Sequence, residues 1–153
     1  MRLPAMKAEF AIVRLSEGHL TANLDAYLTV SADVSPWTAE NFLKRLPCKW
    51  DLSFALWQER PIAYCIMSLR EGAVHIHQFM VAKDYRGKSV GSAMMLEAKT
   101  IAATKSNRIT LKVPRHNVEA QRFYQRHGFS FSADAGDYRL LTFEMSRNQA
   151  GGS

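Results

Sequence analysis

The sequence predicts a fold of the α/β (α+β) class, a single domain with a mixed and mostly antiparallel sheet of about seven strands. The length of 153 residues suits one domain, and a hydrophobic content of 47% is enough to form a core. Short apolar segments bounded by turn residues recur along the chain, as they do in antiparallel sheets. One long helical segment separates two of these strands, and such a crossover makes them a parallel pair.

The first half of the chain predicts one strand, two helices and a three-stranded antiparallel meander. Glu9–Leu15 is the first predicted strand. His19–Val30 and Trp37–Leu46 are amphipathic and predict helices, and Ser35-Pro36 marks the start of the second. The strands of the meander are Leu52–Trp57, Ile62–Leu69 and Val74–Val81.

The second half predicts two helices and three strands. The helix Ser89–Lys105 is amphipathic. Asn117 is expected to cap a shorter helix that runs through His127, and Gly128 ends that helix. The predicted strands are Arg108–Val113, Phe129–Ser132 and Tyr138–Met145, and the apolar face of the long helix consists of Val90, Met94, Ala98 and Ile101.

The charge of the chain favours anionic partners, with a formal net charge of +6 and a pI near 9.5. The pattern does not favour nucleic acid, because the cations are scattered and no helix-turn-helix or RNA-binding aromatic motif is visible. A polyphosphate ligand would account for part of the excess charge.

We expect a soluble, cytoplasmic protein without a membrane partner, because no apolar run approaches about eighteen residues and the N-terminus lacks a secretory signal. Cys48 and Cys65 lie in unrelated segments without metal-binding spacing, so we expect buried thiols and no metal site. The domain is placed at residues 1–147 and a disordered polar tail at residues 148–153. The oligomeric state stays open, with a homodimer as one option.

The segment Arg86-Gly87-Lys88-Ser89-Val90-Gly91-Ser92 lies where a predicted strand meets a predicted helix. Helix starts leave amides without partners and carry partial positive charge, and glycines let an anion approach the backbone, so the segment predicts a polyphosphate site. It has neither the spacing of a Walker loop nor that of a dinucleotide-binding turn. A purely structural connection fits the same residues, and the segment alone leaves both interpretations open.

A second motif, N-V-E-A-Q-R-F-Y-Q-R-H-G-F from Asn117 onward, follows the glycine segment at a distance typical of one family. Together the two motifs resemble the GCN5-related N-acetyltransferase (GNAT) superfamily, in detail over Ile62–Phe131. The family loop has Gln or Arg, two residues, Gly, one residue, then Gly or Ala. Arg86 and Gly91 fit, whereas Ser89 stands where glycine is usual. Because serine is a tolerable helix cap, we expect the loop to be kept.

The resemblance implies helices on both faces of the sheet and a central parallel pair splayed around acetyl-CoA. Its pyrophosphate would lie on the amides of the glycine segment, and its pantetheine arm would pair with the fourth strand like an added strand. Asn117 matches the asparagine that touches the cofactor, and Tyr124 the tyrosine beside the thioester sulfur. The implied cofactor-binding residues are Phe79, Met80, Val81, Arg86, Gly87, Lys88, Ser89, Val90, Gly91, Ser92, Asn117 and Tyr124.

The implied reaction moves acetyl from acetyl-CoA to a primary amine through a tetrahedral intermediate. A lysine-type amine has a pKa of about 10.4, so a base is needed at neutral pH, and the departing thiolate needs an acid, which is expected to be Tyr124. His75 and His77 would share one face of the fourth strand if that strand stays regular, and could relay a proton. Their His-x-His segment is similar to that of the arylalkylamine N-acetyltransferases. The alternative is that they only fill the sheet face.

Three functions stay open at this point. The first is an enzyme that acetylates the amine of a small molecule. The second is a protein or peptide N-acetyltransferase, disfavoured because bacterial ribosomal-protein acetyltransferases carry a glutamate where this chain has Lys112. The third is a sensor that binds acyl-CoA without turnover. The intact Tyr124, Asn117 and histidine pair favour an enzyme.

Overall fold

Seven strands form one mixed sheet in the computed structural model of the chain, which describes residues 10–87 and 89–145. The strands are β1 (Ala11–Arg14), β2 (Phe54–Trp57), β3 (Pro61–Arg70), β4 (Ala73–Val81), β5 (Arg108–Pro114), β6 (Ser130–Ala135) and β7 (Tyr138–Glu144). Their order is β1-β2-β3-β4-β5-β7-β6, and the neighbouring strands are antiparallel except for β4 and β5. The predicted meander and the predicted parallel pair are confirmed.

Helices account for most of the remaining described residues. The α-helices are α1 (Glu17–Ala22), α2 (Leu24–Ser31), α3 (Ala39–Leu43), α4 (Lys49–Leu52), α5 (Val90–Ala102) and α6 (Val118–Arg126). A short 3-10 turn at Lys83–Tyr85 joins β4 to the segment that leads into α5. None of the helices in the described ranges is both long enough and apolar enough to cross a membrane.

The helices of the first half differ from the prediction. The single helix expected over His19–Val30 is two helices, because Asn23 leaves helical geometry (φ −124°, ψ 24°) and its side chain donates to the His19 carbonyl at 2.9 Å. The second predicted helix begins later, since the hydroxyl of Thr38 accepts from the amide of Asn41 and closes a capping box. The expected strand at Leu52 begins at Phe54, because α4 precedes it.

The core lies on both faces of the sheet because alternate residues of β3 point to opposite sides. Cys65 and Met67 pack on the side of α5, and Tyr64 and Ile66 pack on the side of α1, α2 and α3. The predicted apolar face of α5 is buried as expected, at Val90, Met94, Ala98 and Ile101. Helices on both faces are therefore confirmed.

The two cysteines are free thiols with different surroundings. Cys65 is fully buried, as expected, whereas Cys48 is only partly buried, so the expectation of a buried thiol is wrong there. Cys48 sits in left-handed backbone (φ 60°) immediately before α4. Lys88, the strand start at Glu9, and the tail at 148–153 lie outside the described residues.

Candidate active site

A gap opens between β4 and β5. The two strands pair at three positions only, from Val74 opposite Ile109 to Ile76 opposite Leu111. Beyond that point β4 continues to Val81 and β5 to Pro114 without pairing to each other. One backbone edge of β4 is thus left facing the gap, and an extended arm of a ligand can pair with such an edge.

The strand that carries both histidines is bulged, so the condition of a regular strand, under which a shared face was predicted, is not met. In the register of β3 with β4, Ile66 lies opposite Gln78 but Met67 lies opposite Ile76, which leaves His77 as the extra residue of β4. The rings of His75 and His77 nevertheless lie side by side, with centroids 4.9 Å apart. The bulge brings the histidines together, whereas the sequence argument relied on period-two spacing.

Each histidine is bonded to a hydroxyl of a neighbouring strand. Nδ1 of His75 is 2.7 Å from Oγ1 of Thr110 on β5, and Nε2 of His77 is 2.7 Å from Oγ of Ser68 on β3. The four side chains form a polar row across β3, β4 and β5. Ser68 and Thr110 had no signal in the sequence, because their role follows from cross-strand register.

Burial and nearby cations keep both imidazoles neutral at pH 7. Desolvation is the largest cause in each case, and it lowers the pKa of His75 and of His77 to about 4. The positive charge of Arg70 lowers both pKa values further, and Lys112 acts on His75. The face of the sheet that carries His75 and His77 is therefore electropositive near these residues.

Tyr124 lies on the opposite face of the sheet from the histidines. Its ring packs against Phe79, Phe123 and Phe129, with centroid distances of 6.1, 5.3 and 5.6 Å. These rings adjoin the core cluster on the α5 side, whereas His75 and Thr110 point away from that cluster. Desolvation raises the pKa of the phenol, so Tyr124 is a neutral donor at physiological pH.

The position of Tyr124 depends on how α6 is held. Asn117 caps α6 as predicted, and its Oδ1 accepts from the amide of Ala120 at 3.1 Å. The buried amide of Gln121 donates to the carbonyls of Pro114 and Arg115, at 3.1 and 2.9 Å. These bonds tie the first turns of α6 to the end of β5, beside the gap.

The turn before α5 uses left-handed backbone at two residues. Gly87 has φ +73° and Ser89 has φ +68°. Ser89 occupies the N-cap position as expected, but its side chain makes no capping hydrogen bond. The reason for a family preference for glycine is visible here, since only glycine adopts this conformation without strain.

The other residues predicted for this turn have contacts of their own. Gly91 lies against Phe123, because a Cβ built on it would meet the ring at 3.2 Å. Oγ of Ser92 is 3.3 Å from Nε2 of His127. Val90 is buried in the core, so its amide rather than its side chain is available to a ligand.

Arg86 makes an ion pair that the sequence did not suggest. Its guanidinium holds the carboxylate of Asp33 with two bonds of 2.8 and 3.0 Å, and its Nε donates to the Val81 carbonyl at 2.8 Å. The pairing lowers the pKa of Asp33. It joins the segment after α2 to the turn before α5, which lies 53 residues further along the chain.

The separated parallel pair, the glycine turn that heads α5 and the phenol of α6 are the features that the two sequence motifs led us to expect. The chain belongs to the acetyltransferase (GNAT) family, whose model matches residues 20–129.

Two relatives in Bacillus subtilis match over 67 residues, which is 42% of this chain and 44% of theirs. The probable spermine N(1)-acetyltransferase of subspecies natto is 34% identical there, and spermine/spermidine N(1)-acetyltransferase of strain 168 is 33% identical. The match thus spans less than half the length of these relatives.

Solved structures share the fold over most of the chain. The ribosomal-protein-S18-alanine N-acetyltransferase from Escherichia coli aligns with a TM-score of 0.75 at 18% identity, over 90% of this chain and 94% of that one. The paia N-acetyltransferase from Thermoplasma acidophilum, in complex with coenzyme A, aligns with a TM-score of 0.68 at 18% identity, over 89% and 99%. At this identity the likeness establishes the fold alone.

Proposed function

We propose that this chain transfers acetyl from acetyl-CoA to a primary amine of a small molecule. The observation that carries the proposal is the gap between β4 and β5, which opens next to a neutral phenol on one face and two neutral imidazoles on the other. A thioester held in such a gap can be attacked from one face while its thiol leaves toward the other. The similarity to polyamine acetyltransferases supports an amine acceptor.

Acetyl-CoA fits the site as a substrate. The open edge of β4 at Phe79, Met80 and Val81 can take the pantetheine arm. Gly87 and Ser89 precede the head of α5, where the unpaired amides of the first helical turn favour a diphosphate. A backbone amide of β4 near Phe79 is the proposed donor to the oxyanion.

Tyr124 is the proposed general acid. A phenol of ordinary pKa is about 1.5 units less acidic than a thiol, so the proton moves to a developing thiolate at a cost of about 2 kcal/mol. Burial raises the pKa of Tyr124 and enlarges that cost. A hydrogen bond that strengthens as the sulfur gains charge, in apolar surroundings, offsets it.

His75 and His77 are the proposed route by which the amine loses its proton. With pKa values of about 4, direct transfer from an ammonium of pKa about 10.4 is uphill by about six units, or about 8 kcal/mol. We therefore assign them as a relay that passes the proton through water to solvent, with Ser68 and Thr110 fixing the two rings. Their neutral state leaves one ring nitrogen of each able to accept.

The test is thiol release from acetyl-CoA with a panel of small amines, polyamines and short peptides, for the wild type and Tyr124→Phe. We expect turnover with small amines and a loss in kcat of about a hundredfold in the variant, with coenzyme A affinity kept. Tyr138→Phe is the matched control, because Tyr138 is 45% exposed at the start of β7. Turnover confined to peptides would contradict the small-molecule acceptor, and coenzyme binding without any turnover would indicate a sensor.

A further inference from the structure

A groove of about 740 Å³ crosses the face of β5 and β7 that α5 does not cover. His75 and Thr110 lie in its wall, so the groove begins at the polar row of the candidate active site. Lys112 also lines it, one residue beyond Leu111, at the point where β5 leaves β4. The groove is therefore continuous with the gap in which the thioester is proposed to lie.

The groove is lined by cations that lack carboxylate partners. Arg70, Arg108 and Lys112 contribute their side chains, and the ion pairs found among residues 10–87 and 89–145 involve other residues. Glu71 and Glu144 are the acidic members of the lining. Glu144 lies opposite Arg108 in the register of β5 and β7, at the end of the groove away from the gap.

Two cations of the groove act electrostatically on the histidines. Arg70 acts on both imidazoles and Lys112 acts on His75, each lowering the affinity for a proton there. These cations would also repel an acceptor that carries several ammonium groups, because like charges a few ångströms apart make its binding free energy less favourable. The hydroxyl of Ser130 in the lining adds a hydrogen-bond donor that suits an anion, whereas those of Thr110, Ser132 and Thr142 are bonded to His75 or to one another.

We propose that the acceptor amine also carries an anionic group such as a carboxylate, which binds beside Lys112 while the amine lies at the polar row. This rests on the proposed function and narrows its substrate class. Lys112 is the specificity-determining residue, since it stands at the gap end of the groove. The spermine and spermidine named for the relatives carry several ammonium groups and no anion, so this chain would differ from those relatives in its acceptor.

The first experiment compares kcat/KM for three series of amines with matched chain lengths: ω-amino acids of two to six carbons, alkylamines and α,ω-diamines. We expect the best amino acid to exceed the diamine of equal length by about tenfold or more at low salt, and the preference to shrink as salt screens the charges. Diamines or alkylamines that match or exceed the amino acids would overturn the proposal.

The variant Lys112→Gln removes the charge and keeps most of the side chain length. We expect it to reduce the ratio of kcat/KM for amino acids to kcat/KM for alkylamines by about threefold to tenfold, and any effect of Lys112 on the histidine relay cancels in that ratio. Lys105→Gln is the matched control, because its ammonium lies 3.7 Å from the Asp51 carboxylate in an exposed pair outside the groove. An equal effect of both variants would show a general charge effect and overturn the assignment of Lys112.

A binding measurement separates failure of this inference from failure of the proposed function. With coenzyme A present, 4-aminobutyrate and butylamine are titrated at millimolar concentration and the amide signals of β5 and β7 are followed by NMR. Shifts at Thr110 and Lys112 with 4-aminobutyrate alone would support the anionic subsite even if no amine is acetylated. Absence of those shifts would overturn it, even if acetylation of other amines upholds the acetyltransferase.

Discussion

Substitutions at Gly87 and Ser89, which both have left-handed backbone before α5, should change the free energy of unfolding in opposite directions. Ser89 is exposed, has φ +68° and makes no capping bond, so its side chain brings only the strain of left-handed backbone, about 1 to 2 kcal/mol. Glycine removes that strain but loses about 0.5 to 1 kcal/mol through the greater freedom of the unfolded chain. Ser89→Gly should therefore stabilise the protein by about 0.5 to 1 kcal/mol.

Gly87→Ala is the reciprocal change at φ +73°. A Cβ there would meet no atom within 4 Å, so crowding plays no part and the backbone conformation alone destabilises, by about 0.5 to 1 kcal/mol net. Gly18→Ala is the control, because Gly18 lies in α1 with equally open space and ordinary helical backbone. There the same chemical change should stabilise by about 0.5 to 1 kcal/mol.

Urea unfolding at fixed pH, without ligand, measures all three variants against the wild type. In a chain of this size about 1 kcal/mol corresponds to a shift of roughly 2 to 4 °C in Tm, which thermal unfolding detects independently. A destabilised Ser89→Gly, or a Gly87→Ala variant as stable as Gly18→Ala, would contradict the backbone conformation assigned to this turn.

Three further outcomes follow from the charges of the site. His75→Ala combined with His77→Ala should shift the pH–rate profile to higher pH, because the amine must then arrive neutral, and an unchanged profile would exclude the relay. The wild type should lose stability between pH 6.5 and pH 4, because the unfolded chain binds protons near the ordinary histidine pKa of 6.5 whereas the folded pKa values are about 4. At pH 5 the two histidines together should lower the free energy of unfolding by about 2 kcal/mol, after allowance for solvent screening. Urea unfolding of the double variant should show a smaller decrease over the same pH range. Asp33→Asn should tighten coenzyme A binding by roughly threefold to tenfold at low salt, because the Asp33 carboxylate no longer offsets the positive charge that Arg86 presents to a diphosphate. Weaker binding of coenzyme A by calorimetry would contradict this expectation.

Sequence reasoning located the strands and the helix α5 well, because their signals are local. Alternating or continuous apolar segments bounded by turns fixed the meander, and apolar residues at helical spacing fixed the buried face of α5. The cap at Asn117 was equally local, since a side chain that accepts from an amide three residues later needs only its own neighbourhood. Local signals failed at Asn23, where the side chain breaks what the apolar pattern predicted as one helix.

The candidate site also combines features that the sequence predicted with features that depend on strand register. The residue types of the turn and of α6 were readable, and the motifs that resemble the GNAT superfamily were enough to predict the family. The bulge at His77 was not readable, because it arises from the register between β3 and β4 and not from the composition of β4. The partners Ser68 and Thr110 were missed for the same reason.

The sequence by itself determined the class of fold, the order of its elements and the kinds of side chain that could serve a thioester and an amine. Tertiary structure alone decided where β4 and β5 separate, that Asp33 meets Arg86, and that the histidines are buried beside Arg70 and Lys112. The physical reason is that hydrophobic periodicity and capping act over a few residues. Strand register, desolvation and charge proximity depend on groups brought together from distant parts of the chain.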